Sequence, residues 1–137
     1  MNASGTAPTN ISIDYFKSKN LDKIPSYGPL PVTVPGAVDG WVKLHEKFGN
    51  QAFSSLFEPT IDYALNGFPV TETIAYYLAN SVSRFKDYPN FKEVWLKNGK
   101  TPAKGEIFKN PQLAKTLQTI ADQGRAGFYD CEVAHTM

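Results

Sequence analysis

The sequence is poor in the residues that mark many sites, and each scarcity excludes something. It has one cysteine, Cys131, so no internal disulfide can form, and the redox compartment stays open. Two histidines and one cysteine cannot complete a four-ligand zinc site without carboxylates, and the usual ligand spacings are missing. No metal or other cofactor is therefore expected. No run reaches the roughly 18 apolar residues of a membrane-spanning helix, so no membrane contact by this segment is expected. Residues 1–9 have neither the charged start nor the apolar centre of a signal peptide, so the chain carries no address of its own. A net charge of +1 gives no general attraction to nucleic acid or anionic lipid.

What is present suits a soluble globular domain. The 137 residues are 42% hydrophobic, 20% charged and 13% aromatic, which excludes a disordered polyampholyte. A folded chain of this length buries roughly two-thirds of its unfolded surface. Residues 1–30 read as an irregular lead-in rich in Gly, Pro, Ser, Thr and Asn, with one short helix near Ile13–Lys19. Pro29, Pro31 and Pro35 then enforce extended backbone, and a helix can start only after Pro35.

From there to the end, residues 31–137, the pattern is helical. Val38, Trp41, Val42, His45 and Phe48 recur at three- and four-residue steps up to Gly49. Phe53, Leu56, Phe57, Ile61, Ala64 and Leu65 continue the period, with Pro59 kinking the run or opening its second half. Thr71 is an N-cap for a stripe of Ile74, Tyr77, Leu78, Val82 and Phe85. Residues 87–109 are broken, with one helical turn near Phe91–Leu96 followed by a loop. Asn110-Pro111 opens a helix that buries Leu113, Leu117, Ile120 and Ala121, and residues 128–137 begin a last one. The fold class expected is mainly α: about five helices with short extended segments, Pro31–Val34 and Phe68–Val70.

Several side chains invite a chemical reading and each has a plainer one. Cys131 and His135 stand four apart, the spacing of a thiolate–imidazole pair on one helical face; a packed thiol near a surface imidazole is the plainer reading. His45 lies on an apolar stripe, where packing outweighs ligation. Asn98-Gly99-Lys100-Thr101 imitates the tail of a phosphate-binding loop, but Val94 occupies the place of its first glycine, leaving a surface turn. Asn2-Ala3-Ser4 and Asn10-Ile11-Ser12 fit the glycosylation pattern, which needs a secretory route to mean anything. Glu58 and Asp62, one turn apart, lack neighbours that would separate their pKa values. Arg84–Lys109 carries seven Lys/Arg against three Asp/Glu with aromatics interleaved, read as a solvated rim and not as a nucleic-acid groove.

The segment Gly28–Gly49, with its VPGAVDGW core, together with EPTIDYALNGFPV, NPQLAKTLQTIADQG and FYDCEVA in that order, resembles the gamma-glutamyltransferase (gamma-glutamyltranspeptidase) family across residues 28–134. The resemblance implies an internal fragment of the large subunit, a helical part of a larger N-terminal-nucleophile (Ntn) hydrolase αββα fold. It implies a parent acyltransferase or hydrolase of glutathione metabolism. The parent's nucleophile is a threonine freed by self-cleavage, outside this chain, with its own amine as base. The implied partners are the remainder of the large subunit, the small subunit and a small-molecule gamma-glutamyl substrate; the implied location is periplasmic, secreted or membrane-anchored. In such a family the large subunit's substrate arginine precedes an Ala-Pro step. Here Thr6 precedes Ala7-Pro8, and no arginine occurs before Arg84. Cys131 stands where the family's Phe-Tyr-x-Gly pattern has glycine. No catalytic, substrate-binding or metal-binding role is therefore assigned to a residue of this chain, and alone it is expected to be inactive. A standalone helical interaction module is the alternative.

Overall fold

The computed structural model describes all residues from Met1 to Met137. They divide into two compact units, Met1–Asn50 and Gln51–Met137. In the first, Ser12 caps α1 (Ile13–Ser18) by accepting from the Tyr15 amide at 3.2 Å. The chain then runs through the prolines to α2 (Ala37–Phe48), which starts just beyond Pro35 and ends at Gly49, as the sequence requires. Only Val38 and Gly40 of α2 are buried; Trp41 is 46% and Phe48 65% exposed. The apolar stripe exists, with Val38 buried, Val42 and His45 half-buried, and Trp41 and Phe48 uncovered. An ion pair between Lys43 and Asp39 at 2.6 Å lies on the other side, one helical turn apart.

The second unit is built around α6 (Pro111–Gln123). Residues Ser54–Phe57 form a 3₁₀ turn that leads into α3 (Glu58–Asn66), where Pro59 sits in the first turn and opens the helix without kinking it. Gly67, at φ +96°, lets the chain leave α3 in a direction that an L side chain resists. β1 (Phe68–Pro69) follows and pairs antiparallel with β2 (Ile107–Phe108), in register Phe68 with Phe108 and Pro69 with Ile107. Val70 and Glu106 extend the pairing through an N–H···O bond of 2.9 Å. The sequence pattern predicts loop over residues 97–109, and the structure places β2 within it. A two-residue strand carries too little alternation to be seen alone and exists only because its partner is delivered from far along the chain, Phe108 opposite Phe68.

Between the strands lie α4 (Glu72–Phe85), capped by Thr71 through the Ile74 amide at 3.4 Å, and α5 (Phe91–Trp95). Asn110 caps α6 through the Leu113 amide at 3.0 Å, while its own amide donates to the Ala64 carbonyl at 2.8 Å. This ties the start of α6 to α3. The buried face of α6 is Ala114, Leu117, Ile120 and Ala121. Leu113, expected in that set, is 46% exposed, and Ala114 beside it is buried in its place on the helix that packs against α3.

The expected last helix is two. α7 (Ala126–Tyr129) ends at Asp130, and Cys131 is extended (φ −133°, ψ −174°) before α8 (Glu132–Thr136). Gly127 brings α7 against α6: a Cβ there would overlap the Thr119 carbonyl. The molecule is mainly α, as expected, with α7 and α8 as short additions to the helices read from the sequence.

Candidate functional site

In the first unit, residues 3–6 lie close against the start of α2. The Val34 amide donates to the Thr6 carbonyl at 2.9 Å, which lays Ala3–Thr6 along the Val34–Gly40 segment. Three glycines permit it. A Cβ on Gly5 would overlap the Val34 carbonyl, one on Gly36 would overlap the Ala3 carbonyl, and one on Gly40 would meet the Ala3 side chain. None of the three has positive φ, so close approach and not backbone conformation is what requires glycine here. Gly36 and Gly40, four apart, share the face of α2 that receives the segment.

Next to this contact, Met1, Asn2, Ala3 and Ser4 together with Ala37, Gly40, Trp41 and Leu44 line an open cleft of about 520 Å³. Thr6 is exposed, and its carbonyl is engaged by the Val34 amide. Its side chain brings one neutral hydroxyl and no charge. The VPGAVDG string is visible in the sequence, but the three glycines are not recognisable there as a set. Their signal was the four-residue spacing of Gly36 and Gly40 on a helix already expected.

The other candidates separate. The Cys131 thiol donates to the Gly127 carbonyl at 3.1 Å, and Cys131 lies at the N-cap of α8 instead of within a helix shared with His135. The thiol therefore faces back to α7. The extended backbone at Cys131 also imposes no demand for glycine. His45 is half-buried, its ring beside Gly49. Asn98 (φ 52°) and Gly99 (φ 76°) form a two-residue hairpin turn, with Lys97 and Lys100 exchanging N–H···O bonds of 2.8 and 3.1 Å. That turn is what the phosphate-loop imitation is in space.

Glu58 and Asp62 are both exposed, and Asp62 accepts from the Asn66 side chain at 2.6 Å. Asn2 accepts from the Ser4 amide at 2.9 Å, and Asn10 is exposed in a turn closed by Ile11 and Pro8 at 3.1 Å. In the basic and aromatic stretch, Trp95 stacks on Phe108 with ring planes 3° apart and Phe85 meets Tyr88 edge to face, so the aromatics hold the loop together.

Comparison with known proteins places this arrangement in context. The sequence model of the family described as Gamma-glutamyltranspeptidase matches residues 1–137. A curated relative, the glutathione hydrolase-like YwrD proenzyme of Bacillus subtilis (strain 168), is 34% identical over 97% of this chain and 25% of its own length. Among solved structures, the cephalosporin acylase from Bacillus halodurans superposes with a TM-score of 0.92 at 35% identity, over 98% of this chain and 26% of that one. The gamma-glutamyltranspeptidase of Helicobacter pylori gives 0.88 at 32% identity, over 96% of this chain and 39% of that one. The chain thus spans about a quarter of the length of the curated relative.

Proposed function

Because this chain belongs to the gamma-glutamyltranspeptidase family, we propose that it is a section of the large subunit of an enzyme that transfers or hydrolyses gamma-glutamyl groups of glutathione-like amides. The observation that carries the reading is the family match over every residue from 1 to 137, with the backbone of a gamma-glutamyltranspeptidase reproduced over nearly all of it. The nucleophile, a threonine activated by its own amine, lies outside these residues. No residue of this chain is assigned to the substrate's carboxylate, since Thr6 brings no charge to it. The partners are the remainder of the large subunit, the small subunit and the small-molecule substrate.

The contribution of residues 1–137 is architectural. The Val34–Thr6 bond and the three glycines hold residues 3–6 against the start of α2, and a wall of this kind is what a site built from other segments needs behind it. Uncovered apolar side chains on α2 and α4 agree with a section of a larger enzyme, and they weigh against a standalone interaction module, which would cover its stripes.

The test compares two preparations on a gamma-glutamyl anilide: residues 1–137 alone, and the longest polypeptide encoded with them. Release of the aniline by the long form only is the expected result. Turnover by the short chain, or none by a self-cleaved long form, would overturn the reading.

A further inference from the structure

Helix α4 has a composition unlike the other long helices. α2 carries Asp39, Lys43, Glu46 and Lys47, and α6 carries Lys115 and Asp122, whereas the eleven residues Thr73–Ser83 contain no charged side chain. That is three full turns without the charged solvent face of a surface helix. Yet no residue of α4 is buried, and Tyr76 and Tyr77 are 64% and 67% exposed. The helix is held at its ends. Glu72 pairs with Lys104 at 2.7 Å, and Phe85 packs with Tyr88 and Phe91. Its middle also suits a dry surrounding: Ser81 donates to the Leu78 carbonyl at 2.8 Å, so its hydroxyl proton needs no water.

We propose that Thr73–Ser83 of α4 is a docking face for polypeptide of the same enzyme lying outside residues 1–137, covered by an uncharged, apolar surface. This rests on the functional reading above, and it deepens that reading by naming the face where the remaining chain packs. The occupant follows from two observations. The same backbone occurs in solved chains of which it makes up only 26% and 39%, so most of such a protein lies beyond it. The face also has no lysine or arginine within it, which an interfacial lipid-binding helix would carry.

The experiment is tyrosine nitration with tetranitromethane, read by peptide mass spectrometry, on residues 1–137 and on the longest encoded form. Gamma-glutamyl release and sedimentation are measured on the same samples. Tyr76 and Tyr77 are expected to react at least about tenfold more slowly in the long form, as surface side chains do once packed. Tyr77→Lys is expected to remove soluble long-form enzyme while leaving the melting of the short chain unchanged; Tyr77→Phe is expected to behave as the parent. Equal nitration in an active long form overturns this inference and leaves the functional reading standing. Protection in a long form without gamma-glutamyl activity keeps the docking face and removes the functional reading. Protection that appears only with self-association of the short chain overturns the assignment of the occupant.

Discussion

The amide of Val34 and the carbonyl of Thr6, 2.9 Å apart, join two stretches that the sequence separates by α1 and a proline-rich run. This single bond sets the line along which Gly5, Gly36 and Gly40 must all stay bare.

Replacing Gly36 by valine should therefore destabilise the first unit. The backbone there is helical (φ −99°, ψ −6°) and any residue could adopt it, so the cost is overlap with the Ala3 carbonyl, about 1–3 kcal/mol. Hydrogen exchange is the direct measurement: the Val34 amide should lose protection in the variant. An unchanged exchange rate would contradict the close-approach account.

Two leucine-sized positions on α6 should behave in opposite ways. Ile120 is 2% exposed, and Ile120→Ala should cost about 2–5 kcal/mol. Leu113 is half in solvent, and Leu113→Ala should cost less than about 1 kcal/mol. Denaturant titration of both variants checks the rotation of the buried face; equal losses would restore Leu113 to the core.

At the hairpin turn, Gly99 has φ +76° with open space where a Cβ would stand. Gly99→Val should thus destabilise through backbone conformation alone, by about 1–2 kcal/mol, and Gly99→Asn should cost distinctly less. Thermal melting of the two variants separates conformational strain from crowding.

Cys131 should be chemically quiet. Its thiol is half-buried and donates to the Gly127 carbonyl, so iodoacetamide at neutral pH should react no faster than with a free model thiol. Cys131→Ser should leave gamma-glutamyl release by the longest encoded form unchanged. Rapid alkylation coupled to loss of that activity would revive a thiol mechanism.

Much of the fold was legible because its signals are local. Pro35 dates the start of α2, Gly49 its end, Thr71 and Asn110 the starts of α4 and α6, and each acts through its own backbone or a hydrogen bond three residues on. The strand at Ile107–Phe108 and the break at Cys131 were not legible. Both depend on partners far along the chain or on the packing of α7, which no short window of sequence contains.

The candidate site divides in the same way. Sequence alone determined which residues are available: a threonine and no arginine before Ala7-Pro8, a single thiol, and no charge from Thr73 to Ser83. Tertiary structure decided which of them meet. It turned the Cys131 thiol back toward Gly127, set Ala3 against Gly36 and Gly40, and left Tyr76 and Tyr77 in the uncharged middle of α4 exposed. The physical reason is that composition and capping act within a few residues, whereas burial and hydrogen-bond pairing are set by segments that only the folded chain brings together.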